Sequence, residues 1–125
     1  MTSIYLVEDS PLVRERLHVL LGALPGVRVA GEAATAPAAI AGILAARPDI
    51  ALVDLNLEEG SGLDVLRAVR KCAPEVACYM LSNFVDFPYR QLAARLGARG
   101  FFDKSRDFER VRDLVAARAS GQAND

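Results

Sequence analysis

Four apolar segments of the chain end on residues able to handle a phosphoryl group and a metal. The acid pair Glu8 and Asp9 follows residues 4–7, Asp54 closes residues 50–53, Ser82 closes residues 76–81, and Lys104 closes residues 100–103. An ionised carboxylate at the open end of a buried strand is a nucleophile toward phosphorus and forms an acyl phosphate. Taken alone, an Asp after an apolar strand is equally an ordinary turn residue. Glu8 and Asp9 stand beside Asp54 if the first and third strands are neighbours, and three carboxylates together repel unless a cation neutralises them. Hard oxygen donors without His or Cys favour Mg²⁺ or Mn²⁺; the plainer role for Asp9 is to support the start of the first helix. The Lys104 ammonium and the Ser82 hydroxyl are groups that offset and hydrogen-bond a phosphoryl group.

The elements that must position these residues recur at an even spacing. Strand-like segments begin at Ile4, Val27, Ile50, Val76 and Gly100. The first, third and fourth are continuous apolar runs, as expected of strands covered on both faces of a parallel sheet. Residues 27–31 are more polar and are predicted to form an edge strand. Between the strands lie helical patterns. Ser10 caps the first, with Pro11 at its first position and Val13, Leu17, Leu20 and Leu21 as its apolar stripe, ending near Leu21 before Gly22. The others are predicted over residues 35–46, 62–71, 88–96 and 107–118, the third closed by cations and Pro74. Repeated strand-helix units give an α/β sheet with helices on both faces and a ligand site beyond the carboxyl ends of the strands.

The 125 residues fit one domain of 1–119 followed by a short polar tail, 120–125, and leave no room for an effector domain. A net charge of −1 argues against direct DNA binding. The charge is uneven: residues 1–87 hold 7 basic and 11 acidic side chains, residues 88–125 hold 8 and 5. Cys72 and Cys78 form no ligand motif and are read as reduced packing residues of a cytoplasmic protein. Neither a signal peptide nor an apolar run long enough to span a bilayer is expected. His18, the single histidine, is read as a helix-surface residue.

Together, the acid pair, Asp54, Ser82 and Lys104 resemble the receiver domain of bacterial response regulators, and the resemblance covers essentially the whole chain. It implies a flavodoxin-like, doubly wound five-stranded parallel sheet of order 2-1-3-4-5. It implies Asp54 as phosphoacceptor, Lys104 and Ser82 as catalytic phosphate ligands, and Glu8, Asp9, Asp54 and the Asn56 backbone carbonyl as the Mg²⁺ site. Ser82 and Phe101 become the switch residues, with Phe101 turning inward after phosphorylation, and Gly62 matches a loop glycine. The implied function is two-component signal transduction. A histidine kinase or histidine phosphotransfer protein donates the phosphoryl group, and a protein partner reads the change. The module catalyses only its own phosphorylation and dephosphorylation. Output through helix 4, strand 5 and helix 5, to a partner or a second copy of the chain, is expected on the face bearing Tyr89, Arg90, Arg95, Arg99 and Arg110.

Four departures from the family pattern stand out. Glu58 occupies a position usually held by proline, so the loop after Asp54 is expected to be more mobile. Ser105 replaces the proline that commonly follows the lysine, which removes the expectation of a cis bond there. Phe101 has no hydroxyl, so a switch there works by packing. Asn83 and Phe84 are bulky and are expected to narrow access for a hydrolytic water. Two further readings are a phosphorylation-independent scaffold or phosphate sink, and a metal-dependent phosphohydrolase. The hydrolase would want a second acid where Asn56 stands. An FMN binder would need a glycine-rich phosphate loop in place of residues 8–11.

Overall fold

A computed structural model describes residues 1–83 and 87–121. Phe84 and the part of the expected tail beyond Gly121 lie outside the described residues. Strands and helices alternate as β1 (Thr2–Val7), α1 (Pro11–Gly22), β2 (Val27–Ala33), α2 (Ala36–Ala46), β3 (Ile50–Asp54), α3 (Gly62–Cys72), β4 (Ala77–Ser82), α4 (Phe87–Arg95), β5 (Gly100–Asp103) and α5 (Phe108–Ala119). The sheet is parallel throughout, in the order β2, β1, β3, β4, β5. Thus β2 is an edge strand, as its polarity predicts.

Alternate residues of the strands feed two cores. Ile4, Leu6, Ile50, Leu52, Tyr79, Leu81 and Phe102 pack on one face with Leu17 and Leu21 of α1 and Val111 and Val115 of α5. Tyr5, Val7, Ala51, Val53, Met80 and Phe101 pack on the other with Ile43 of α2, Val65 and Val69 of α3 and Ala93 of α4. Burying each large aliphatic side chain is worth about 1.5–3 kcal/mol, so covering both faces is the main force holding the strand ends in line.

Helix starts follow the capping residues. Ser10 Oγ accepts from the Val13 amide, and Thr35 caps α2 through the Ala38 amide. Ser61 and Asp64 form a reciprocal capping box at α3. The β2 strand runs two residues past the predicted end at residue 31. Its register against β1 shifts between Ile4 and Tyr5, so that Ala30 has no partner and the alternation that reveals a strand is lost there. Tyr5 lies across this point, close enough that a side chain on Gly31 or Gly42 would collide with its ring or hydroxyl.

The two cysteines differ in a way the sequence reading did not separate. Cys78 is a buried packing residue, but Cys72 ends α3 and is exposed. Cys72 keeps the i, i+4, i+7 spacing of Val65 and Val69, yet it is the last residue of α3 and is exposed, and the next residue, Ala73, is the buried one. Among the described residues no helix is long and apolar enough to cross a membrane. Burial pushes the Cys78 thiol up to about 12. At mildly alkaline pH an alkylating reagent should therefore label one thiol in the folded chain and two after denaturation, read by intact mass. Labelling of Cys78 at the rate of Cys72 would contradict this packing.

Candidate phosphoryl and metal site

The chain winds outward from β1 on one side and from β3 on the other, so the crevice beyond these neighbouring strands is the topological switch point of the sheet. Val7 is level with Val53, which brings Glu8 beside Asp54 one residue further on. Glu8 extends the strand by one bond, its amide donating to Ala33 O at 2.9 Å. The β1–α1 turn is fixed by two bonds to the same residue. The Ser10 amide donates to Glu8 Oε2 at 3.0 Å, and Arg14 Nη1 donates to the Glu8 carbonyl at 2.8 Å.

Asp54 is equally constrained. The next amide, Leu55, donates to Leu81 O at 3.0 Å, and the Asn56 amide donates to Asp54 Oδ1 at 3.2 Å. The loop then closes on itself through an Asn56–Ser61 bridge and a Gly62 amide bond to Leu55 O at 2.9 Å. Gly62 matters for its missing side chain: a Cβ there would run into the carbonyl oxygen of Asp54.

One or more oxygens of Glu8, Asp9 and Asp54 converge within 4.8 Å of one another. Glu8 is 1% exposed, Asp54 2%, and Asp9 only partly buried. Lys104 Nζ donates to Glu8 Oε2 and Asp54 Oδ2, both at 3.0 Å, so one ammonium is shared by two buried carboxylates. Three carboxylates and one ammonium leave two negative charges uncompensated. Burial, the largest influence, pushes Glu8 up to about 7 despite its bonds to the Ser10 amide and Lys104. Burial likewise raises Asp54 above the ordinary carboxylate value, with Lys104 acting against it. Burial alone would lower Lys104, but its two carboxylate partners outweigh that and raise it.

The residues present fit a hard divalent cation. Glu8 Oε1 is buried without a hydrogen-bond partner, which is an orphaned acceptor facing an all-oxygen donor set. Ser82 is wholly buried at the end of β4, and its carbonyl accepts the Lys104 amide at 3.0 Å. Asn56 is exposed beside Asp54, meeting it through its own amide.

Comparison with known proteins places the chain in a family. The family model described as the response regulator receiver domain matches residues 4–116. The chain belongs to the response regulator receiver family. It is 36% identical over 119 residues to the DNA-binding transcriptional activator DevR/DosR of Mycobacterium tuberculosis, covering 95% of this chain and 52% of that one. It is 33% identical over 126 residues to a protein-glutamate methylesterase/protein-glutamine glutaminase of Syntrophus aciditrophicus, covering 94% of this chain and 35% of that one. The chain thus spans about half the length of the first relative and about a third of the second. The signal receiver domain of the response regulator NarL of Mycobacterium tuberculosis superposes with a TM-score of 0.87 at 29% identity, covering 96% of this chain and 97% of that one. The receiver is therefore a signalling module of two-component systems, of flavodoxin-like topology.

Phe101, expected to turn inward on phosphorylation, has its ring inside in this structure, 9% exposed, in the core that also holds Ala93, with the Arg90 guanidinium 5.5 Å from its centroid. Arg14 was missed, because an arginine on the polar side of an amphipathic helix carries no sequence signal for a bond to a strand-end carbonyl. His18 does lie on the helix surface, with Nε2 2.6 Å from Glu32 Oε1.

In the folded receiver the raised Glu8 pKa means that the proton is held more tightly than in the unfolded chain. That contribution favours folding below the ordinary value of 4.5 and is lost as pH rises through about 7. Thermal melts without metal should lose stability from this group over that window, and Mg²⁺ should restore more at about pH 7.5 than at about pH 5. Asp9→Ala, at a partly exposed position, should abolish the Mg²⁺ response while leaving the metal-free melt at or somewhat above that of the parent, since one repelling carboxylate is gone. An undiminished Mg²⁺ response in that variant would rule out Asp9 as a ligand. Gly62→Ala should destabilise the fold by about 1–3 kcal/mol, as overpacking does, measured by urea denaturation.

Proposed function

We propose that Asp54 is the phosphoacceptor of this receiver and that Glu8, Asp9, Asp54 and the Asn56 carbonyl hold a Mg²⁺ ion, or Mn²⁺ in its place. The observation carrying this reading is the sharing of the Lys104 ammonium between Glu8 and Asp54, beside a buried carboxylate oxygen with no partner. An ionised Asp54 oxygen attacks the phosphorus of a phosphohistidine. The new O–P bond forms as the P–N bond breaks, and the electron pair and a proton end on the departing imidazole. The metal supplies charge neutralisation for the phosphoryl oxygens. Lys104 turns from the two carboxylates to the phosphoryl group, and the Ser82 hydroxyl donates to another of its oxygens. Positioning and charge compensation carry the rate, as in other phosphoryl transfers. The receiver in this reading is not a turnover enzyme, and Asn56, where a hydrolase would want a second acid, supports that.

The donor is a histidine kinase or histidine phosphotransfer protein, in the cytoplasm. Output runs through α4, β5 and α5 to a protein partner or a second copy, with no direct DNA contact by this domain. Tyr89, Arg90, Arg95, Arg99 and Arg110 are all exposed on that face, and the Arg110 guanidinium covers Phe102 at 5.3 Å as Arg90 covers Phe101. The outward guanidinium edges suit an acidic partner surface.

Incubation with a small phosphodonor and Mg²⁺ should add one phosphoryl mass to the chain. Asp54→Ala should remove it, and Lys104→Ala should slow it by about 100-fold or more, the scale of losing one charge-stabilising group. Labelling of Asp54→Ala at the parental rate would reject Asp54 as acceptor.

A further inference from the structure

The proline expected after Lys104 is replaced by Ser105, and the turn is held instead by a set of hydrogen bonds centred on Asp103. The Asp103 carboxylate is nearly buried, at 6% exposure. Its Oδ1 accepts from both the Ser105 amide at 2.7 Å and the Ser105 hydroxyl at 2.6 Å. Asp107 completes the turn from the other side. It stands at the N-cap position of α5 yet makes no side-chain cap; its Oδ2 accepts from the Asp103 amide at 2.8 Å. The Asp107 amide in turn donates to Asp103 O at 2.9 Å. Lys104 lies inside this closed turn, with its own amide fixed to Ser82 O at 3.0 Å.

A helix start forgoing its own cap, beside a carboxylate spent on the next turn, is unusual economy for a surface loop. What the bonds have in common is the direction of one side chain. The flexible four-carbon stem of lysine does not aim itself. Here it must bring one ammonium within 3.0 Å of two carboxylates that come from β1 and β3. We infer that Asp103 and Ser105 are positioning residues for Lys104, a carboxylate-hydroxyl clasp that takes the place of proline in aiming the ammonium at the phosphoryl position. None of the clasp's hydrogen bonds named above goes to Asp54 or to the proposed metal ligands, and Lys104, the residue between Asp103 and Ser105, is its direct link to the site. This inference rests on the proposed role of Lys104 toward a phosphoryl group on Asp54.

The test is binding of beryllofluoride, a phosphoryl mimic, followed by amide NMR shifts in the presence of Mg²⁺, alongside a separate Mg²⁺ titration. The parent chain should bind both. Asp103→Ala should weaken beryllofluoride binding by about tenfold, the scale of losing a supporting contact behind a ligand, with Mg²⁺ affinity unchanged or slightly tighter. Ser105→Ala, at an exposed position that cannot threaten the fold, should weaken beryllofluoride severalfold, and Asp103→Asn, which keeps an acceptor oxygen, should recover most of the loss. Failure of the parent to bind beryllofluoride would overturn the reading of the site, and with it the clasp. Parental beryllofluoride affinity in Ser105→Ala and Asp103→Ala, or an equal loss of Mg²⁺ and beryllofluoride binding without recovery in Asp103→Asn, would overturn the clasp alone.

Discussion

One ammonium held between two buried carboxylates is the constraint around which the rest of the structure is arranged. Glu8 and Asp54 are almost fully removed from water, and both are pushed toward the protonated form by that burial. Leaving either unpaired would be strongly destabilising. Lys104 compensates one charge, and Asp9 adds a third carboxylate, so the site without metal is held together against its own repulsion. A site in this condition gains from any ligand that supplies positive charge. In the proposed reading, a phosphoryl group on Asp54 would find the Lys104 ammonium already within reach.

The sheet exists in this form because it must bring β1, β3 and β5 to one edge. Lys104 is 96 residues from Glu8 and 50 from Asp54, so nothing local in the chain could assemble the group. Parallel pairing does it by register. Val7 against Val53 and Ser82 against Asp103 set the heights of Glu8, Asp54 and Lys104 before any polar contact forms. The strands are apolar on both faces, and slippage by one residue would exchange the two cores, which is why the heights are held.

That same two-sided burial made most of the fold legible. Apolar runs with polar ends mark β1, β3 and β4 and their site residues, and Ser10, Pro11 and Pro74 mark helix boundaries. Legibility failed where a residue's role depends on a distant partner. Ala30 hides the continuation of β2 because the shifted register is a property of two strands and the Tyr5 ring between them. Cys72 and Cys78 look alike in composition and differ in place, one exposed at the very end of α3 and the other buried within β4. Phe101 could be placed on a strand, but the core it enters, with Ala93 of α4, is built from elements separate in the chain. Asp103 read as part of a strand, and nothing in its neighbours announced that Asp107 would forgo its cap to hold it.

The location of Phe101 also bears on how a signal can leave the site. Its ring is packed inside in this structure, with the Arg90 guanidinium over it. The chain also ties the site directly to the start of α5. Lys104 is three residues from Asp107, and Asp107 belongs both to the turn that encloses the lysine and to the start of α5. A phosphoryl group adds about two negative charges where the ammonium is now divided between two carboxylates. In the proposed reading, drawing Lys104 toward that charge would load a turn tied by the Asp103, Ser105 and Asp107 hydrogen bonds to the start of α5. Typical coupling between sites is about 1–3 kcal/mol, comparable with gaining or losing one or two of the hydrogen bonds in that turn. A change of that size needs no large motion of the core, and Arg110, whose guanidinium lies over Phe102 and pairs with Asp107, stands where it would be felt.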